Sequence, residues 1–182
     1  VSSVIVSPAN LTLPAAEVIS EVLLNWALPQ HPQSIAHILE HVLRLAPLVP
    51  QALESMEEDV ISGLVSIFTS IGINQASVLT AENCRENGFL LAQLVLQCCE
   101  HQDAISSEIF DFWKELQDTL EEHLDYDDLL DIYKPAMEEM VRTFLKQSRF
   151  PEEPSKLDPD TSDKTYNIRR DAADTLLQFY RM

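Results

Sequence analysis

Glycine is almost missing from this chain, with three residues in 182. Neither GxxxxGK[ST] nor GxGxxG occurs, so the usual glycine-rich phosphate loops are absent from the sequence. Cations are scarce too: 12 Lys and Arg stand against 30 Asp and Glu, a net charge of −18. Such a surface repels a phosphate backbone, which argues against direct nucleic-acid binding and favours basic partners. Cysteine is limited to Cys84, Cys98 and Cys99, too few for a disulfide framework. Two of them end the apolar run from Phe89 to Cys99, which suits reduced, buried thiols. That run starts at Gly88, is interrupted by Gln93 and Gln97, and falls short of the ~20 residues of a membrane span, so no membrane is expected as a partner. Extended-chain signals are confined to Val4–Val6 and Leu11–Leu13. No signal peptide is visible, and a first residue of Val rather than Met reads as an excised interior fragment.

What the chain has is helix periodicity on a 46% hydrophobic composition. Pro14 opens a first helix with Val18, Val22 and Leu23–Trp26 as its stripe, ended near Pro29 and Pro32. A second runs from Ser34 to about Leu45 on Ile35, Ile38, Leu39 and Val42; Pro47 and Pro50 break it before a continuation to Leu53. Ser55 and Glu58 form a capping box for a third, with Val60, Ile61, Leu64, Val65, Phe68 and Ile71 inward and Gly72 as its C-cap. Asn83 with Glu86 opens a fourth to about Cys99, apolar nearly all round and therefore expected in the middle of a layered structure.

The fifth helix, about Ala104 to His123, carries Ile105, Ile109, Phe112, Trp113, Leu116 and Leu120 inward and Glu108, Asp111, Glu115, Asp118 and Glu122 outward. The sixth, about Asp127 to Gln147, buries Leu130, Tyr133, Met137, Met140, Val141 and Phe144, with Pro135 kinking it or starting its main part. Residues 150–163 hold three prolines and five acids and read as a loop. A seventh helix spans about Thr165 to Arg181. The starts group in pairs that recur about 41, 48 and 61 residues apart, near the HEAT period of about 40–47. The fold class is therefore all-α, a HEAT/armadillo-type helical-repeat, right-handed solenoid of about seven helices or three and a half repeats. Its organisation is an extended lead-in over 1–13, repeats over 14–149, an acidic Pro-rich loop over 150–163, and the first helix of a further repeat over 164–182.

Catalytic and metal signals are thin. His37, Glu40 and His41 spell HxxEH, whose histidines share a helix face and could hold zinc with Glu40 as base. No third ligand is identifiable, and two histidines on a polar helix edge are the simpler reading. Cys98, Cys99 and His101 point in different directions on a helix, which favours core packing over a metal. No Ser-His-Asp or Cys-His set assembles. The chain is read as a non-enzyme with no catalytic residue, cofactor or metal.

Four pieces occur in a telling order: Ser107-Glu108-Ile109-Phe110-Asp111-Phe112-Trp113-Lys114-Glu115-Leu116, Ile132-Tyr133-Lys134-Pro135, Leu145–Glu153, and Tyr166–Leu176 after the acidic loop. The first resembles the FWxxL helix of the importin-beta (karyopherin-beta) superfamily. The order resembles the importin-thirteen and transportin-three branch, closer to importin-thirteen, with weaker similarity back through Leu43–Gly72. The resemblance implies a superhelical nuclear transport receptor shuttling between cytoplasm and nucleus. Its partners would be protein cargo, Ran-GTP and phenylalanine-glycine (FG) nucleoporins, with the second helix of each pair lining the concave face.

On that reading the sixth helix offers Asp127, Asp128, Asp131 and Glu138 to a basic cargo or Ran, through charge-assisted hydrogen bonds. The loop carboxylates Glu152, Glu153, Asp158 and Asp160 are candidates of the same kind. Against both stands the plain alternative of a solvated acidic surface. The competing function is a HEAT-repeat scaffold or adaptor unrelated to nuclear transport.

Overall fold

The computed structural model describes residues 12–24, 31–99, 107–123, 125–147 and 159–179. They form eight α-helices: α1 Thr12–Leu23, α2 Pro32–Leu43, α3 Leu48–Ser55, α4 Glu58–Thr80, α5 Arg85–Cys98, α6 Ser107–Glu121, α7 Tyr126–Gln147 and α8 Pro159–Phe179. No strand occurs among the described residues.

The helices stack in two layers. In one, α1 packs on α4, α4 on α6 and α6 on α8; in the other, α2 and α3 pack on α5, and α5 on α7. Cross-contacts join α4 to α2, α3 and α5, and α6 to α7. Each antiparallel pair thus buries its stripe against the pairs before and after it, which is the helical-repeat solenoid expected from the spacing. Pro47 accounts for the extra helix: it is the N-cap of α3, so the expected continuation is a separate short helix.

The middle position belongs to α4. It is flanked by α1, α2, α3, α5 and α6, and it buries fifteen residues from Ile61 to Thr80. With 23 residues it is long and apolar enough to cross a membrane, yet 67% of its most apolar stretch is buried against its neighbours. It is a core helix. α5, which was expected in the middle, leaves Leu90 and Gln93 exposed along one edge.

Several local expectations give way to packing. Gly72 is not a left-handed C-cap: its φ is not positive, and α4 continues past it to a break at Gln75 and then to Thr80. Its hydrogen lies against Phe112 of α6, and any Cβ there would collide with that ring. Ser55 caps no helix; its hydroxyl donates to the Ala52 carbonyl at 3.2 Å, and Met56 closes α3 at φ 56° while Glu57 is the N-cap of α4. Asn83 likewise yields to Cys84 as N-cap of α5. Pro135 lies inside one helix that starts at Tyr126, so it begins no main part.

The stripe of α1 is rotated from the expected one. Ala16 and Leu23 are buried, whereas Val18 is 64% and Val22 48% exposed; Trp26, also expected inward, lies outside the described residues. Two side-chain bonds hold α1 on α4. Ser20 and Ser70 share a hydrogen bond at 2.6 Å, and Gln75 donates through Nε2 to the Leu23 carbonyl at 2.9 Å. Gln75 has φ −142° and ψ 35°, a break inside α4, and its amide satisfies a carbonyl that the end of α1 leaves without a helical partner.

The lead-in and the loop are both shorter than expected. Thr12 and Leu13 already belong to α1, and residues 159–163 belong to α8, where Pro159 takes the first helical position. Val4–Val6, Ile105 and residues 150–158 lie outside the described residues.

Candidate functional site

The rotation of α7 is set by its buried side. Leu129, Tyr133, Ala136, Met137, Met140 and Phe144 face α5 and α6, with Tyr133 and Phe144 among the largest fully buried side chains. The helix period then turns Asp127, Asp128, Asp131 and Glu138 outward, and all four are exposed. The predicted grouping of Asp131 with Glu138 holds, since seven residues make nearly two turns.

Neighbouring charges divide the four. Arg142 bonds Glu139 at 3.1 Å and Glu138 at 3.4 Å, so the C-terminal end of the face already has its cation. Asp125, just before α7, meets Arg85 at the start of α5 at 3.3 Å, and the Arg85 Nε donates to the Thr80 carbonyl at 3.2 Å. No ion pair reaches Asp127, Asp128 or Asp131 among the described residues. Asp127 and Asp128 stand in the first turn of α7, where the helix dipole favours a carboxylate. The free acidic patch is thus three residues at one end of one helix. Of the loop candidates, Glu152, Glu153 and Asp158 lie outside the described residues, and Asp160 belongs to the first turn of α8, where only the backbone is described.

Arg142 and Arg85 were not singled out from sequence. Arg142 was legible as a partner, being three and four residues beyond Glu139 and Glu138. Arg85 and Asp125 are forty residues apart and no local pattern joins them.

The outward face of α6 differs in kind. Glu108 is pushed up from the usual carboxylate range, first by burial, with the Thr69 hydroxyl opposing and Asp111 adding. The residue nonetheless remains exposed, and the Thr69 hydroxyl of α4 donates to the Val65 carbonyl at 2.8 Å.

The thiols are inert by position. Burial pushes Cys98 up to about 12 and raises Cys99 and Cys84 as well. The Cys99 thiol donates to the Val95 carbonyl at 3.2 Å. His101 lies outside the described residues.

On α2 the two histidines do meet. The Nε2 atoms of His37 and His41 are 3.1 Å apart with the rings edge-on at 78°, and Glu40 lies 3.7 Å from the His37 Nδ1. Among the described residues no group of three or more His, Cys, Asp and Glu side chains could hold a metal ion.

A family model described as the transportin-3/importin-13 second TPR domain matches residues 56–146, half of the chain. The chain belongs to the transportin-3/importin-13 family. It is therefore a member of a group of nuclear transport receptors, not of an enzyme family. No curated protein matches the chain. In this member of the transportin-3/importin-13 family the matched span contains α4, α5 and α6 and all but the last residue of α7. Asp127, Asp128, Asp131 and Glu138 all fall inside it. The FWxxL piece of α6 is the buried core of the span: Phe112 and Trp113 are fully buried and their rings meet edge-on at 5.4 Å.

Proposed function

We propose that this chain is the cargo-contacting stretch of a receptor of the importin-thirteen type, an interior piece of a longer solenoid. It takes protein cargo with a basic surface, is regulated by Ran-GTP, passes FG nucleoporins, and shuttles between cytoplasm and nucleus. The observation that carries the reading is the family match across α4–α7, the four helices that position the exposed acids of α7. The net charge of −18 supports a basic partner, since long-range attraction raises the encounter rate with cationic surfaces. The matched family is one of nuclear transport receptors, which leaves the alternative of a scaffold unrelated to transport without an observation in its favour.

The test uses the full-length receptor and a fluorescent reporter carrying a Lys/Arg-rich peptide. The reporter should bind the receptor and be displaced by Ran locked in its GTP form. Reporter binding indifferent to Ran-GTP would overturn the regulated-receptor reading. A reporter that fails to bind would overturn the basic-cargo reading.

A further inference from the structure

The geometry points to a two-histidine clip on α2, in which His37 and His41 together chelate one divalent late first-row transition metal ion, Cu2+ above Ni2+ and Zn2+. Residues four apart lie one above the other on a helix, and here the two imidazoles bring their Nε2 atoms together. Their Nε2 atoms are 3.1 Å apart. With metal–nitrogen bonds of about 2.0–2.1 Å, that separation subtends an angle of about 98° at the metal. The value falls between the right angle of a square-planar or octahedral site and the tetrahedral angle, so the spacing of the two nitrogens suits a single ion.

The nitrogens that do not ligate have different surroundings. Glu40 stands 3.7 Å from the His37 Nδ1, outside hydrogen-bond distance but on the side from which a carboxylate accepts the Nδ1–H of a metal-bound ring. The His41 Nδ1 is buried with no hydrogen-bond partner, so Nε2 is the nitrogen that His41 presents outward. In the metal-free protein the arrangement has His41 protonated at Nδ1 and His37 donating its Nε2 proton to the Nε2 of His41. When an ion takes both Nε2 lone pairs, that proton passes through water to the exposed Nδ1 of His37, on the Glu40 side, because the His41 Nδ1 is closed to water. Glu40 is not a ligand in this arrangement, and water fills the remaining positions. Two ligands and open water positions make a capture site, not a hydrolytic centre. The same residues that spell HxxEH thus support binding without supporting catalysis.

The experiment titrates the purified chain with Cu2+ and with Ni2+, read by calorimetry and, for Cu2+, by electron paramagnetic resonance. One ion per chain is expected, in the affinity order Cu2+ above Ni2+. The Cu2+ spectrum should show hyperfine structure from two equivalent nitrogens. His37→Gln and His41→Gln should each weaken binding at least tenfold, because the chelate is lost with either arm, and the double variant, which also loses the remaining imidazole, should bind no more tightly than the weaker single. Glu40→Gln should weaken binding by about tenfold while keeping the two-nitrogen spectrum. Helical circular dichroism must be unchanged in the variants, as glutamine, a good helix former, predicts at each position. Affinity in the double variant within threefold of the parent would overturn the clip, as would a one-nitrogen spectrum in the parent.

Discussion

The Tyr133 hydroxyl of α7 donates to the Leu79 carbonyl of α4 at 2.9 Å, and Gly88 of α5 lies directly against both. Three helices from two successive pairs meet there. Leu79 is in the last turn of α4, where carbonyls have no helical donor, so a phenol from the next pair supplies one. The side chain is fully buried and burial holds its hydroxyl protonated far into the alkaline range. A Cβ on Gly88 would meet the Tyr133 oxygen and stand 2.6 Å from the Leu79 carbonyl. The glycine is there for close approach, not for a turn.

Substitution at this junction should therefore be coupled. Tyr133→Phe leaves a buried carbonyl unsatisfied and should cost about 1–3 kcal/mol. Gly88→Ala overpacks the same point and should cost a similar amount. Because the alanine methyl collides with the hydroxyl that the phenylalanine lacks, the double variant should be more stable than the two single losses added together. Urea denaturation of all four proteins measures this, and strict additivity would show that the three groups do not meet.

The contact between α4 and α6 gives a second test. Trp113 is fully buried beside Phe112, so Trp113→Ala should cost on the order of 3–5 kcal/mol through lost burial and the cavity left behind. Gly72→Ala should cost about 1–3 kcal/mol by pushing on the Phe112 ring, and Phe112→Leu should recover part of that loss. A Trp113→Ala cost below about 1 kcal/mol would mean the α6 face is assigned wrongly.

The pairing of helices was legible because burial imposes the 3.6-residue period on every stripe. In α6 Ile109, Phe112, Trp113, Leu116 and Leu120 are all buried as expected, whereas Val60 of α4 and Leu130 and Val141 of α7 are only half-buried and Leu129 takes the inward place in α7. The misreadings share one cause, a local signal overruled by a neighbour. Gly72 carries the mark of a helix end, but the ring of Phe112 from forty residues on requires it mid-helix. Ser55 and Asn83 sit in capping patterns, yet α3 reaches as far as Ser55 and Cys84 takes the cap of α5. In α1, short and apolar on more than one side, sequence does not say which side meets α4; Ser20 and Leu23 do, and Val18 and Val22 do not. At the candidate site the outward direction of Asp127, Asp128, Asp131 and Glu138 was legible as the complement of the buried stripe. That Glu138 shares Arg142 while Asp127, Asp128 and Asp131 have no cation among the described residues required the rotamers.

Alkali should destabilise the protein through its thiols. The folded Cys98 lies at about 12 against an ordinary value of 9.0, with burial as the cause. A raised folded value means the folded state holds the proton more tightly. Its stabilising contribution is therefore complete below about pH 9 and is lost as pH climbs toward 12. The expected slope is about 1.4 kcal/mol per pH unit for each such thiol. Cys99 and Cys84 add in the same direction. Denaturation series between pH 8 and 11 should show the decline, and Cys98→Ala should flatten it; equal slopes in parent and variant would contradict the burial of this thiol.

The acidic face of α7 permits a test in which two changes move binding in opposite directions. Asp127→Asn with Asp128→Asn and Asp131→Asn removes the carboxylates that have no cation, and should slow association of the full-length receptor with a lysine-rich reporter and flatten its salt dependence. Neutralisation is preferred to reversal, because a lysine in the first turn would also oppose the helix dipole. Arg142→Ala acts the other way: it releases Glu138 and Glu139 from their shared guanidinium, so association should speed up although nothing acidic has been added. A matched control neutralises Asp111, Asp118 and Glu122 near α6, leaving out Glu108 because burial pushes its carboxyl up from the usual range. Both triple variants change net charge equally, so a difference between them isolates place from total charge. Equal loss from both would mean that only the overall field of the protein attracts the reporter. An Arg142→Ala protein that binds no faster would mean that the reporter does not approach this face at all.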